Sequence, residues 1–204
     1  MNDTEFVWPS EQIIIVDVEG NGHAPPDLVE LAISAFPAVE AVPPLSWLIK
    51  PPNRIKWQAK QVHGIGNSDV ENCPGWDEIK EEVEEKLQGK WFVAHNASVD
   101  YSVVKRHLPT WEPAGVIDTL KLARHVYPNA TSHSLSALLT TTGLRNQVVG
   151  ELHRAGEDAR VTALLLDHLI EKSSLKSWIE ICKIAQIQKQ TEEKAPAPEQ
   201  GSLW

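Results

Sequence analysis

The chain has 204 residues, 42% hydrophobic, 23% charged and 6% aromatic, which excludes a collagen-like, disulfide-stapled or wholly disordered chain. Lys and Arg number 19 against 28 Asp and Glu, a formal charge of −9, which excludes a DNA-coating protein and a polybasic membrane binder. An enzyme that grips only a strand end stays open, because bound metal can supply its positive charge.

The β-branched run Ile13-Ile-Ile-Val16, ending in Asp17-Val-Glu19-Gly20, predicts a buried central strand meeting a turn. A second strand is predicted over 28–36 and a third over 45–49, stopped by Pro51 and Pro52. Three strands in quick succession suggest an antiparallel meander. Alternation then begins. A helix over 76–87 carries Trp76, Ile79, Val83 and Leu87 at helical spacing, and its acids 78–85 form a solvated face. A short strand follows at 91–94, then a helix from near Asn96 to about Pro109, a strand at 115–118 and a short helix at 119–125. Helices over 134–142, 155–170 and 175–187 complete the pattern, the last aligning Leu175, Trp178, Ile179 and Cys182. Residues 190–200 have no apolar periodicity and read as an extended linker.

No apolar run reaches the ~18 residues needed to span a bilayer, so no membrane is expected among the partners. Residues 1–11 are too acidic and polar for a secretory leader. Cys73 and Cys182 stand far apart, in no metal-binding spacing, and fit a reducing cytoplasmic setting.

Three clusters carry chemistry. Asp17 and Glu19 are two apart on a strand, so both carboxylates leave the same face and repel unless a cation lies between them. A solvated strand end is the bland alternative, weakened by the apolar residues before it. In His95-Asn-Ala-Ser-Val-Asp100, Asn96 suits a helix cap and Asp100 lies one turn further on, at a strand-to-helix crevice. In His153-Arg-Ala-Gly-Glu-Asp158, small residues let the helix pack closely on the sheet. Five positions at ~100° each leave His153 and Asp158 off a shared face. His153 is therefore placed on the preceding loop, where proton acceptor and helix-start residue are equally open readings.

Together the clusters resemble the three motifs of the DnaQ-like 3′–5′ exonucleases, the DEDDh group of the ribonuclease-H-like superfamily. Val29-Glu-Leu-Ala32, His63-Gly-Ile65 and Asp118-Thr-Leu-Lys-Leu-Ala123 extend the resemblance over about residues 12 to 170. It is nearest to the exonuclease X-like branch, through Trp91 to Asp100 and Leu120 to Arg124. The chain departs from the family at Asp17-Val-Glu-Gly-Asn-Gly22, which stands for Asp-Thr-Glu-Thr-Thr-Gly, and at Val99, where an aromatic residue is common.

The resemblance implies an α/β, ribonuclease H-like fold with a central mixed five-stranded sheet flanked by helices. It places an exonuclease domain over 1–188 and a flexible tail over 189–204. It implies two divalent cations, Mg²⁺ or Mn²⁺, on Asp17, Glu19 and Asp158, with Asp100 acting mainly through water and His153 as proton acceptor. Val18, Gly20, Asn21, Gly22, His63 and Asn96 would face the terminal nucleotide, His63 chiefly as packing. Glu30 is expected to be structural. The implied activity is release of nucleoside 5′-monophosphates from single-stranded DNA or DNA 3′ ends in repair or proofreading. The alternatives are RNA trimming and a polymerase-associated module. Gln200, Leu203 and Trp204 resemble a bacterial sliding-clamp-binding motif, with a frayed tail as the alternative.

Overall fold

A computed structural model describes residues 5–38 and 42–187. The first half forms the expected meander: β1 (Ile13–Gly20), β2 (Leu28–Ala35) and β3 (Leu45–Leu48). After α1 (Trp57–His63) and α2 (Trp76–Leu87), β4 (Trp91–Ala94) leads into α3 (Ser98–His107). Then β5 (Gly115–Asp118) passes directly into α4 (Thr119–Val126). The helices α5 (Leu135–Thr141), α6 (Ala155–Lys172) and α7 (Trp178–Ala185) complete the chain's described elements, with a 3₁₀ turn at Leu144–Gln147.

One five-stranded sheet runs in the order β3-β2-β1-β4-β5. The meander pairs are antiparallel, while β1–β4 and β4–β5 are parallel, so the sheet is mixed as expected. Strand alternation divides the core in two. Ile13, Ile15, Ala32, Val93 and Ile117 face the layer of α6, packing with Leu165, Leu166 and Leu169. Ile14, Val16, Leu31, Phe92 and Val116 face the opposite layer, with Val83, Leu87, Val104 and Trp111. This parity positions the acids at the end of β1, because Asp17 and Glu19 continue the odd series toward α6.

The structure departs from the periodicity in four places. The helix α1 is not expected from the sequence: its seven residues carry no apolar stripe, and it is held by Ala59 packing against Val29, Ile55, Ile65 and Val70 and by His63 against the Gly20 carbonyl. The 3₁₀ turn is likewise too short to read. The last helix starts at Trp178, where the Ser177 hydroxyl accepts the Glu180 N–H at 3.4 Å, and Ile179 points outward, 68% exposed. The helix expected from Asn96 starts at Ser98. The tail 189–204, with Gln200, Leu203 and Trp204, lies outside the described residues. No helix among the described residues is long and apolar enough to cross a membrane.

Candidate active site

β1 pairs with β4 only from Ile13 to Ile15. Beyond that point the two strands part, and the end of β1 opens into the crevice where parallel sheets place their ligands. Asp17 and Glu19 project there on the α6 side, with Ala32 and Glu30 as their cross-strand partners on β2. Ala32 is fully buried and small, leaving room beside Asp17. The first turn of α6 brings Asp158 over the same spot. One carboxylate oxygen from each of Asp17, Glu19 and Asp158 lies within 4.8 Å of the others.

Such crowding is electrostatically unfavourable. Burial, then the neighbouring Asp100, Asp158 and Glu19, hold the Asp17 carboxyl well above the usual carboxylate range. Burial and Asp158 push Glu19 up to about 8, and burial raises Asp158 to about 6. Asp158 Oδ1 is buried without a hydrogen-bond partner. Three converging carboxylates, one of them with an orphaned buried oxygen, and no soft ligand among them, suit a hard divalent cation.

Asp100 reaches the site from the other side of the sheet. Its α3 belongs to the even-residue layer, so its carboxylate meets the strand edge and accepts the Val18 N–H at 3.1 Å. It stands outside the three-carboxylate group, and burial raises it to about 7.

His153 lies on the loop before α6, exposed, with φ +66°. Positive φ is uncommon outside glycine and needs support from its surroundings. Two contacts provide it. The His153 N–H donates to Asp158 Oδ2 at 3.1 Å. The adjacent Arg154 grips Glu30 with two N–H···O bonds, Nε to Oε2 at 3.0 Å and an NH₂ group to Oε1 at 2.9 Å, while the Ala155 N–H also donates to Oε2 at 2.9 Å. Glu30 is therefore structural as expected, but its object is specific: it clips the His153 loop to the strand beside Glu19. Motif spacing alone misses Arg154. A lone acid inside the apolar run 28–33 needs a buried partner, and the basic residue next to His153 is the available signal.

The residues expected to face the terminal nucleotide sort differently. Asn21 is fully buried, and all its side-chain hydrogen-bonding capacity is taken: Nδ2 donates to Asp27 Oδ2 and the Asn53 carbonyl, and Oδ1 accepts from the N–H groups of His23 and Asp27. It holds the turn and has no bond to offer outward. His63 is also buried, with Nε2 against the Gly20 carbonyl at 3.2 Å and Nδ1 accepting the Ile65 N–H at 3.1 Å. Burial keeps this imidazole below its ordinary range, and it packs α1 on the turn. Gly22 has φ +82°, and a Cβ there would meet that of Ala59 at 3.1 Å. The Val18 N–H is taken by Asp100, and a Cβ at Gly20 would meet that of Pro26 at 2.9 Å. Asn96 is not the helix cap: at φ +64° its N–H turns to Asp118 Oδ1 (2.9 Å), which also caps α4 by accepting the Leu120 N–H. The Asn96 side chain is exposed beside Val99, which is 52% exposed.

The family model for RNase T exonucleases matches residues 3–166. The chain belongs to this exonuclease family. Within the family, the 3′-5′ exonuclease DinG of Bacillus subtilis (strain 168) is 31% identical over 172 residues, 79% of this chain. The chain spans only 18% of that relative's length. Exonuclease X, solved in complex with 5′ overhanging duplex DNA, is 32% identical with a TM-score of 0.65, over 79% of this chain and 92% of that one. Cell-death related nuclease 4 (CRN-4) shares the fold at 17% identity and a TM-score of 0.67, over 83% of this chain and 67% of that one.

The raised carboxylates give the family member a pH signature. Native Glu19, Asp100 and Asp158 hold protons that the unfolded chain has already released, so stability falls as pH rises from about 4 to about 8. In chelator, the thermal midpoint is expected to drop by several degrees across this window, and Mg²⁺ or Mn²⁺ should flatten the drop. Calorimetry at stepped pH checks it. A flat profile in chelator would mean the carboxylates do not crowd.

Proposed function

We propose that the chain is a metal-dependent 3′–5′ exonuclease that releases nucleoside 5′-monophosphates from DNA 3′ ends, in repair or proofreading. The convergence of Asp17, Glu19 and Asp158, beside the loop on which the exposed His153 donates its backbone N–H to Asp158, carries this reading. These three carboxylates would hold the divalent ions, two in the full complement, and Asp100 would act through water. Bound there, the ions would offset phosphate charge and acidify a water, as in two-metal phosphodiester hydrolysis. His153 accepts the proton of the water that attacks phosphorus, and the bond from phosphorus to the 3′ oxygen breaks. The products are a 5′-monophosphate and a strand with a new 3′ hydroxyl. An acidic chain can host a polyanion in this way because the cations reverse the local field.

DNA is favoured by the relative at 32% identity that was solved on duplex DNA. The test is release of labelled mononucleotides from 3′-labelled DNA and RNA strands, single and double, with Mg²⁺, Mn²⁺ or chelator. Trimming that needs no divalent ion would overturn the metal assignment. Faster trimming of RNA would overturn the DNA preference, and binding without cleavage would leave a polymerase-associated module.

The free thiols of Cys73 and Cys182 support a cytoplasmic setting. We also propose that Gln200, Leu203 and Trp204 dock on a sliding clamp, since two bulky apolar anchors after a polar, Pro-containing stretch suit a small hydrophobic groove. Removing residues 200–204 should abolish binding to an immobilised clamp and leave hydrolysis of a bare oligonucleotide unchanged. Retained clamp binding would refute the motif.

A further inference from the structure

The charge of this chain is unevenly spread. Between Ala41 and Ser68 there is no Asp or Glu, yet Lys50, Arg54, Lys56 and Lys60 fall within it, in a chain of net charge −9. Among the described residues Arg54, Lys56 and Lys60 form no ion pair. Trp57 stands between them, 70% exposed, at the start of α1. A large aromatic left in water amid unpaired cations contributes nothing to the core, and the two features together match a strand of nucleic acid. Bases stack on an indole whatever their identity, and phosphates pair with Lys and Arg.

The location fits as well. The segment is fastened to the turn after Glu19: the Lys56 N–H donates to the Asn21 carbonyl at 3.0 Å, and His23 Nε2 lies 3.2 Å from the Arg54 carbonyl. Gly22 packs against Lys56 and Ala59. Behind Arg54 an open depression of about 450 Å³ is lined by Lys50, Arg54, Asn67 and Ser68, with Glu71 as its carboxylate. Lys50 Nζ is held at its edge by the Glu71 carbonyl at 3.0 Å.

We infer that residues 50–60 form a strand-binding rim, in which Trp57 stacks on a base upstream of the 3′ end while Arg54 and Lys56 pair with the phosphates beside it. This deepens the exonuclease reading and rests on it for the direction of the strand. The rim engages single-stranded nucleic acid through features that DNA and RNA share.

The experiment compares the wild type with Trp57→Ala, Trp57→Phe and the double variant Arg54→Ala/Lys56→Ala. Substrates are a long single strand, as DNA and as RNA, and an aryl ester of a nucleoside 5′-monophosphate too short to reach the rim. Trp57→Ala should raise the KM of the long strand about tenfold, with Trp57→Phe restoring much of it. The double variant should reduce the slope of log affinity against log salt by about 1.4, or about 0.7 for each phosphate no longer neutralised. Hydrolysis of the ester should not change. The shift should appear on both DNA and RNA wherever both are cleaved, and a shift confined to one of two cleaved strands would overturn the shared recognition. Unchanged long-strand KM and salt slope, or a parallel loss on the ester, would overturn it. Anisotropy of a labelled strand in chelator reads the rim separately, so a wild type that binds through these residues there yet cleaves no strand when Mg²⁺ or Mn²⁺ is supplied would refute the exonuclease reading and spare this one.

Discussion

Asp17→Asn is expected to abolish hydrolysis while making the metal-free protein more stable. Asp17 belongs to the three-carboxylate group on which the divalent ions would rest. Losing one charged ligand should cost about 10³-fold or more in turnover, ~4 kcal/mol of transition-state stabilisation. In chelator the same carboxylate is a liability, since burial and the charges of Asp100, Asp158 and Glu19 all oppose its ionised form. The isosteric amide removes that repulsion, so the thermal midpoint near neutral pH should rise. Single-turnover assays and calorimetry in chelator check the two halves. A variant that cleaves at the wild-type rate would end the metal assignment. One that lost both activity and stability would show a packing role instead.

His153→Ala should lower turnover by about 10²- to 10⁴-fold, the range for losing a positioned general base. The side chain is exposed, so the thermal midpoint and the affinity for a strand should not move. Free imidazole should restore part of the rate. Glu30→Gln gives a second reading of the same idea, because Glu30 stands outside the three-carboxylate group yet clips the His153 loop through Arg154. Its loss should cost between about 10- and 100-fold, as expected when a reacting group is misplaced by a fraction of an ångström to an ångström. In a His153→Ala background the same change should cost little, since the group it positions is gone. Effects that multiply instead would show that Glu30 acts through Asp158 or the fold at large. Wild-type turnover in His153→Ala would remove the assigned proton acceptor.

Much of the site is legible because strand chemistry is local. Asp17 and Glu19 share a face by the two-residue repeat alone, and the apolar residues before them make the strand. Five helical steps cannot align His153 with Asp158, which points His153 to a loop, and the structure puts it there. Asn96 is where local reasoning fails. The His95–Ala97 segment looks like a helix start, but Asp118, 22 residues on, draws off the Asn96 N–H and turns the backbone to positive φ. Asn21 and His63 carry groups able to bind a nucleotide. Only their hydrogen bonds show that the turn itself takes up those groups.

The sequence by itself determined the five strands, the six core-forming helices α2 to α7 and the types of residue at the site, because periodicity and motif spacing are properties of neighbouring residues. The tertiary structure decided which acids meet. Strand parity sends Asp17 and Glu19 toward α6, so Asp158 joins them while Asp100, arriving from the opposite layer, stops at the strand edge. It also decided that α1, with no apolar stripe of its own, is a helix at all, since contacts remote in the chain, Ala59 on the Val29 cluster and His63 on the turn after Glu19, hold it there. Those outcomes depend on which layers the chain stacks above and below one strand, and no local pattern encodes that.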